Sequence, residues 1–511
     1  MKQDRGYIVV LALFLLISTP LVRAQDLASF EKRITVKTLE NGLTVVVCVR
    51  TEAPVFSFFT HVDVGSDREV PGITGLAHMF EHMAFKGTDR IGTTNYAEEK
   101  GALERVEQAY HDYDVERRKE VGRDEKKISA LEKDWKDTMA AAQKYVVENQ
   151  FGQIVEEHGG QGLNAFTDNE ETGYHYSFPS NQFELWAYLE SERFLHPVLR
   201  QFYKERDVVH EERRLGESDP FGRLFEQFAA AAYVAHPYGQ PVVGWPSDLE
   251  SFSMTDAERF YKTYYVPSNL VVTVVGDVRA SEALAIMEKY FGRLSAGPKP
   301  EPLRTIEPPQ TAERTVVLRE TSQPVFVEGY HKPGARDKDN AVYEALQDLM
   351  SNGRTSRLYR SLVRDKKIAA FSGGFNGFPG AKYANLFVFF AISTPGHTPE
   401  ETRDAIRAEI ERVKKEDITD DELRMIKTRA KADLLRRLGD NQGLAFQLGT
   451  AQSLYGDWRE LFRAVDHIEK VSKADIRRIA NATFMESNRT VGMIESTQLA
   501  KAPAAGKETK P

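Results

Sequence analysis

Residues 75–88 read Gly75-Leu76-Ala77-His78-Met79-Phe80-Glu81-His82-Met83-Ala84-Phe85-Lys86-Gly87-Thr88. In a helix, His78 and His82 lie four residues apart on one face, where both imidazoles can reach one metal ion, and Glu81 lies on the same side. Zinc takes such nitrogen ligands, and a carboxylate beside its open position can accept a proton from water. The pattern H-x-x-E-H is expected by chance only about 0.02 times in a chain of this length and composition. It therefore predicts a zinc site, the alternative being two purely structural histidines.

Two histidines do not complete a catalytic zinc site, so a third protein ligand must come from elsewhere. The segment from Glu205 to Glu212 offers two carboxylates seven residues apart, on the same helical face. One could bind the metal while the other supports a ligand. His210 is an alternative ligand, but it lies about 200° around the helix from Glu212 and should face away.

These segments resemble the zinc peptidases with an inverted motif, of the pitrilysin and insulin-degrading-enzyme type. The resemblance is strongest to the short branch that includes mitochondrial processing peptidase and bacterial periplasmic or secreted homologues. It runs from about Thr38 to Glu495 and rests on residues 75–88, on Asn164-Ala165-Phe166-Thr167 with Thr172-Gly173-Tyr174, and on the V-x-x-E pattern that ends at Glu212.

The resemblance implies a ligand set and a role for each site residue. His78, His82 and Glu212 would bind one Zn²⁺ per chain, Glu81 would be the general base, and Glu205 would be the supporting carboxylate. The segment at Asn164 and Ala165 resembles the edge strand on which family members hold a peptide substrate as an added strand.

The second half of the chain departs from the family pattern. Arg364 lies in a segment that resembles the one carrying a substrate-orienting Arg and Tyr, seven residues apart, but here Phe371 occupies the tyrosine position. A phenol that could stabilise a developing oxyanion is therefore missing. We expect the chain to be the zinc-bearing subunit of a homodimer or heterodimer in which a related chain supplies the Arg/Tyr pair. A homodimer or monomer that works without the tyrosine is the alternative.

The chain repeats itself, which predicts an α+β fold of two related halves. Ser253, Asp256, Ser268 and Asn269 match Ser472, Asp475, Ser487 and Asn488 at an offset of 219, and Pro54-Val55-Phe56 matches Pro324-Val325-Phe326 at an offset of 270. Each half is predicted to be a mainly antiparallel sheet backed by helices. The zinc-binding half spans 25–295, a Pro-rich linker 296–312, the half without metal 313–496, and a disordered tail 497–511.

The difference between the two offsets predicts an insertion of about fifty residues in the first half. Residues 97–158 are rich in charge and carry apolar residues at helical spacing on both sides of Gly122. This pattern predicts a long helical hairpin. Its function stays open between a solvated structural element and a docking surface for a partner.

The composition and the first 24 residues limit the possible ligands and the possible location of the protein. A net charge of −8 gives no electrostatic signature of nucleic-acid binding, and the single cysteine, Cys48, lies in an apolar run and is predicted to be buried. Residues 1–24 have the basic start, apolar core and Val22-Arg23-Ala24 site of a secretory signal, so cleavage is expected after Ala24 and the protein is predicted to be periplasmic or secreted. An uncleaved N-terminal anchor is the alternative. No segment after that signal is long and apolar enough to span a membrane.

The predicted reaction is zinc-dependent hydrolysis of internal peptide bonds in peptides or unfolded polypeptides. One alternative is a non-catalytic, zinc-containing subunit that binds or presents peptides. This alternative does not explain why a carboxylate, that of Glu81, lies beside two zinc ligands. A zinc hydrolase for substrates other than peptides is a third reading, which the edge strand at Asn164 disfavours.

Overall fold

The structure is a computed structural model that describes residues 27–497. The predicted signal segment 1–24 and the tail beyond Thr497 lie outside the described residues. Thr497, the first residue of the predicted disordered tail, is ordered by a hydrogen bond: its backbone N–H donates to the carbonyl of Glu320 at 2.9 Å. None of the helices within residues 27–497 combines the length and apolar character needed to cross a membrane.

Eleven strands in the described residues form two sheets. The strands of the first half are β1 (Ile34–Thr38), β2 (Thr44–Val49), β3 (Val55–Val62), β4 (Gln161–Thr167), β5 (Thr172–Pro179) and β6 (Leu270–Gly276). Those of the second half are β7 (Arg314–Glu320), β8 (Val325–Lys332), β9 (Ala369–Phe378), β10 (Asn385–Ser393) and β11 (Arg489–Ser496).

Helices separate and cover these strands. In the first half they are α1 (Leu27–Glu31), α2 (Leu76–Met83), α3 (Tyr96–Arg117), α4 (Glu125–Gln143), α5 (Gln150–Glu157), α6 (Phe183–Leu195), α7 (Phe202–Ser218), α8 (Pro220–Ala232), α9 (Pro246–Leu249), α10 (Met254–Tyr264) and α11 (Ala280–Phe291). In the second half they are α12 (Asn340–Ser351), a π-helical segment (Tyr359–Asp365), α13 (Pro399–Lys415), α14 (Asp420–Arg437), α15 (Asn441–Tyr455), α16 (Glu460–Lys470) and α17 (Lys473–Thr483).

Both sheets are mixed, with one parallel pair each. The strand orders are β1-β2-β6-β3-β5-β4 and β7-β11-β8-β10-β9. The pairs β2–β6 and β7–β11 are parallel, whereas all the other neighbours are antiparallel. The α+β fold of two mainly antiparallel sheets backed by helices is therefore confirmed. The parallel pair in each sheet is an addition that the sequence pattern did not predict.

The repeat also holds in three dimensions. Strands β3 and β8 begin and end at the predicted offset of 270, and α10 and α17 at the offset of 219. Both helices begin with a capping box, in which the serine side chain and the acidic side chain three residues later each bond the other's backbone N–H. The matched Ser and Asp residues therefore set the same helix start twice.

Two helices are exchanged between the halves. Helix α8 follows the first-half helix α7 but packs on β7 and β11 of the second sheet, with Leu224 and Phe228 fully buried there. Helix α15, which follows α14, packs on β3 and β6 of the first sheet through Leu444 and Leu448. Because each sheet buries one face under a helix from the other half, neither half can complete its core alone.

The charged segment forms the predicted helical hairpin. Helices α3 and α4 pack on each other, and Val106, Tyr110 and Trp135 are buried between them and the body of the first half. Gly122, in the connection, has φ +72°, a left-handed conformation that glycine adopts without strain. The corresponding stretch of the second half, between α12 and β9, contains only the π-helical segment.

The connection between the halves, residues 296–312, contains no helix or strand. Glu307 holds it in place, since its buried carboxylate accepts the backbone N–H groups of Val234, Ala235 and His236, each at 2.9 Å. The linker is thus docked onto the end of α8 and is not a free tether.

Candidate metal centre

Helix α2 is held at its N-terminus by a buried carboxylate. Glu69 accepts the backbone N–H groups of Gly75 and Ala77, each at 2.7 Å. Burial raises the pKa of Glu69 to about 8, and the two backbone donors only partly offset that effect. Gly75 has φ +95°, and a Cβ there would lie 2.5 Å from the carbonyl oxygen of Val243. The helix therefore begins at Leu76 rather than at Ile73, where the helical spacing begins.

His78, His82 and Glu212 come together between α2 and α7. His78 Nε2 lies 3.7 Å from Glu212 Oε1, and His82 Nε2 lies 3.4 Å from Glu212 Oε2. His78 is buried, His82 is half-buried and Glu212 is exposed. Within the described part of the chain, this is the only group of three His, Cys, Asp or Glu side chains close enough to hold one metal ion.

These separations fit zinc better than they fit hydrogen bonds. Ligand atoms about 2.0–2.1 Å from a tetrahedral zinc ion are about 3.4 Å from one another, whereas N–H···O hydrogen bonds are about 2.9 Å long. Two imidazoles and one carboxylate are also the donor set that zinc takes in hydrolases. The residues present therefore fit the metal.

The pKa values of the two imidazoles are shifted in opposite directions. Burial lowers the pKa of His78 to about 4, so this imidazole is neutral and offers a lone pair. Burial also acts to lower the pKa of His82, but the carboxylates of Glu205, Glu212 and Glu81 outweigh it and raise that pKa. The carboxylates that stabilise a proton on His82 would equally stabilise a metal cation bound in place of that proton.

Glu205 connects His82 to the loop that follows α2. Its Oε2 lies 3.5 Å from His82 Nδ1, and its Oε1 accepts a hydrogen bond from the Lys86 ammonium. Burial acts to raise the pKa of Glu205, but these two partners outweigh it and keep the pKa below its usual value. Of the two candidate ligands on α7, Glu212 thus faces the Nε2 atoms of both imidazoles, whereas Glu205 faces only the Nδ1 atom of His82.

Glu81 lies beside the triad, on the side of the edge strand. Its Oε2 is 3.9 Å from His78 Nε2. Burial raises the pKa of its carboxyl, while the Thr167 hydroxyl and His82 partly offset the rise. Thr167 is the last residue of β4, which pairs only with β5 among the described strands and packs against α2. Asn164 is exposed on this strand and Ala165 is buried.

The structure does not bring every predicted residue to this site. Arg364 lies on the π-helical segment of the second half, where it is more than half exposed and bonds Asp365 at 2.6 and 3.0 Å. Phe371 is half exposed on β9 and packs on Phe390, with the ring centroids 5.3 Å apart. His210 turns away from Glu212, as expected, with its Nε2 3.6 Å from Glu250.

Two residues that position the site were missed in the sequence. Glu69 caps α2, and the fully buried Arg200 bonds both carboxylate oxygens of Glu99, at 2.5 and 2.8 Å, and the carbonyls of Lys86 and Thr88. Arg200 thereby fixes the loop after α2 against the hairpin helix α3. The position of Glu69, six residues before Gly75, is only a weak sequence signal for a residue that caps α2. No local sequence pattern indicates the role of Arg200.

The second half replaces the metal site with an ion pair. The position equivalent to His78 at the offset of 270 is Asp348, and Arg429 Nη1 lies 3.0 Å from its Oδ1. Ser351 and Asn352 stand at the positions of Glu81 and His82. The second half thus keeps the fold of the first without its donor set.

Comparison with known proteins identifies the family. The family model described as Insulinase (Peptidase family M16) matches residues 45–114 and 138–245, and the one described as Peptidase M16 inactive domain matches residues 251–430. The chain therefore belongs to the M16 family of peptidases, which confirms the resemblance seen in the sequence. Residues 115–137, around the tip of the hairpin, lie outside both matches.

Relatives match along most of the chain. Zinc protease PqqE of Helicobacter pylori (strain ATCC 700392 / 26695) is 29% identical over 469 residues, 89% of this chain and 90% of that protein. The probable mitochondrial-processing peptidase subunit beta of Arabidopsis thaliana is 22% identical over 489 residues, 92% of this chain and 80% of that protein.

Solved structures share the fold. The crystal structure of a protease from Helicobacter pylori superposes with a TM-score of 0.75 and 26% identity, covering 90% of this chain and 99% of that one. The periplasmic protease PqqL from Escherichia coli superposes with a TM-score of 0.69 and 17% identity, covering 93% of this chain and 49% of that one.

Proposed function

We propose that this chain is a zinc-dependent endopeptidase that hydrolyses peptides or unfolded polypeptides. The observation that carries the proposal is the approach of His78, His82 and Glu212 at the separations of zinc ligands, with Glu81 beside them. The relatives named zinc proteases support both the metal and the reaction. Glu205 is assigned the supporting role, since it contacts only the far nitrogen of His82.

In the proposed reaction Glu81 carries the proton. A zinc ion held by the triad supplies Lewis acidity toward the scissile carbonyl and a water of lowered pKa. Glu81 accepts a proton from the attacking water on a carboxylate oxygen and then donates it to the leaving amine. Its raised pKa suits a group that must take and return a proton.

The free edge of β4 is assigned to the substrate backbone. An extended peptide can add to this edge by main-chain hydrogen bonds, which are insensitive to side-chain identity. Asn164 and Ala165 lie on that strand, and Thr167 at its end adjoins Glu81. A peptide paired there would bring its backbone to the metal, so an unfolded segment fits this site better than a folded domain.

A related but non-identical chain is proposed to supply the missing Arg/Tyr pair, because a second copy of this chain would carry the same Phe371. Arg364 of this chain is exposed and paired with Asp365, and Phe371 has no hydroxyl. Export of the protein is proposed from the pattern of residues 1–24, and the periplasmic protease PqqL has the same fold.

Metal analysis combined with a quenched fluorescent peptide assay tests the proposed function. We expect one zinc per chain, hydrolysis that stops when a chelator removes the metal, and recovery when zinc is added back. Bound zinc without hydrolysis, alone and with related chains from the same cell, would instead identify the non-catalytic peptide-binding subunit. Full activity of the isolated monomer would refute the requirement for a second chain.

A further inference from the structure

A cavity of about 350 Å³ opens directly beside Glu81 and His82. Its lining includes Phe85, from the loop after α2, and Val146, Val147 and Glu148, which follow the second helix of the hairpin. The volume is within the range of pockets that accept small ligands or long side chains. The proposed reaction assigns no role to the helical hairpin. The residues that follow its second helix nevertheless line a pocket next to the proposed base, Glu81.

The wall formed by residues 146–149 is fixed by backbone contacts. Val146 pairs with Thr93 in an isolated antiparallel bridge, and the N–H of Val147 bonds the carbonyl of Gly92 at 3.0 Å. Asn149 and Gln201, which both line the cavity, have φ +54° and +60°. Left-handed backbone is unfavourable at residues other than glycine and persists only where the surroundings impose it.

Glu148 presents a charged carboxylate at this wall. Its Oε1 accepts the side-chain amides of Gln201 at 2.8 Å and Gln143 at 3.0 Å. These bonds, the one from Gln201 foremost, hold the pKa of Glu148 below its usual value. Lys204 is its cationic neighbour, at 3.5 Å, and both side chains are more than half exposed, so this pair is weak.

The cations that line the cavity already have partners. Lys86 is paired with Glu205, and Arg200 is paired with Glu99 through two hydrogen bonds. Glu148 and Glu81 are thus the carboxylates of the lining without a strong cationic partner. The lining thus places the apolar side chains of Phe85, Val146 and Val147 near a carboxylate, Glu148, that has only a weak cationic partner.

We propose that Glu148 makes this cavity a specificity subsite that binds a lysine or arginine side chain of the substrate, adjacent to the scissile bond. The methylene groups of that side chain would pack on Phe85, Val146 and Val147, while its charged end bonds the Glu148 carboxylate. The inference rests on the proposed function, since it names the substrate side chain that the same site selects.

A peptide library cleaved by the zinc-loaded full chain tests the subsite, with the cut positions read by mass spectrometry. Because a hydrogen bond to a charged group is worth about 1.5–3 kcal/mol, we expect Lys and Arg to exceed Gln and Met at one position beside the cut by about tenfold or more. Glu148→Gln should reduce that ratio about tenfold, and Glu148→Lys should favour Asp or Glu there. The matched control Glu157→Gln, an exposed carboxylate on α5, should keep the wild-type ratio.

A binding measurement supplies a readout independent of turnover. Fluorescein-labelled peptides that differ by a single Lys-to-Gln exchange are titrated onto zinc-loaded Glu81→Gln protein, with and without Glu148→Gln. We expect the Lys peptide to bind about tenfold tighter only where Glu148 is present. Zinc-dependent cleavage without a basic preference, or a preference that survives Glu148→Gln, overturns the subsite alone. A wild-type chain that cleaves no peptide overturns the proposed function and the subsite with it.

Discussion

Replacing Glu205 by Gln tests how the supporting carboxylate orients His82. Glu205 Oε2 faces His82 Nδ1 at 3.5 Å, while His82 Nε2 faces Glu212 at 3.4 Å. A proton kept on Nδ1 by Glu205 leaves the lone pair of Nε2 directed at the metal position. Glutamine preserves the size of the side chain but removes its charge, so the imidazole loses its preferred orientation and part of its basicity.

The expected loss of zinc affinity follows from that contact. Removing the outer partner of a ligating histidine weakens metal binding by about 10- to 100-fold, or about 1.4–2.7 kcal/mol. The contact of 3.5 Å is long for a hydrogen bond, which places the expected effect near the lower end, at about tenfold. The low exposure of Glu205, 11% of its side chain, argues against screening by solvent or salt.

Competition with a fluorescent zinc chelator near neutral pH measures this change. Glu211→Gln is the matched control, because Glu211 lies on the same helix, is exposed and pairs only with Arg214. We expect the control to bind zinc as the wild type does. An unchanged zinc Kd for folded Glu205→Gln protein, or an equal loss in the control, would refute the orienting role of Glu205.

Three further changes test how the fold holds the site. Asp67 is buried, and among residues 27–497 no donor hydrogen-bonds its carboxylate, although Arg68 Nε lies 3.5 Å away. Burial outweighs this cation and raises the pKa of Asp67 from 3.8 to about 7, so the folded state loses stability as pH rises from about 4 through 7. In urea unfolding, Asp67→Asn should match the wild type at pH 4 and be more stable at pH 8, by up to about 4 kcal/mol; equal stability at both pH values contradicts this. Lys382, on the β9–β10 loop, donates to Asp63 and to the carbonyl of Glu170. Lys382→Met should therefore cost about 2 kcal/mol by leaving the half-buried Asp63 carboxylate unpaired, and the added change Asp63→Asn should restore part of that stability. Gly75→Ala should destabilise the protein by about 2 kcal/mol or more in the same assay, because of its left-handed backbone and the close carbonyl of Val243; a neutral effect would show that α2 can begin differently.

The features that the sequence predicted depend on local spacing. The spacing of four residues from His78 to His82, and of seven from Glu205 to Glu212, fixes which side chains share a helical face, and the structure brings all four side chains together. The predicted offsets of 219 and 270 hold to the residue for the helices α10 and α17 and for the strands β3 and β8, because the same capping and strand patterns recur in both halves.

The features that it did not predict depend on long-range packing. The apolar face of α8 shows that the helix is buried but not which sheet covers it, so the exchange of α8 and α15 between the halves could not be read from periodicity. Arg200 and Glu99 are a charged pair about a hundred residues apart in the chain, and nothing local distinguishes them from exposed charges.

The central claim is that His78, His82 and Glu212 hold a zinc ion for which Glu81 serves as the base. The most direct measurement compares zinc content and peptide turnover of the wild type, Glu81→Gln and His78→Ala under one set of conditions. We expect Glu81→Gln to keep one zinc per chain while losing at least about 100-fold in turnover, and His78→Ala to lose the zinc itself. Wild-type turnover by Glu81→Gln, or full zinc content in His78→Ala, would contradict the account.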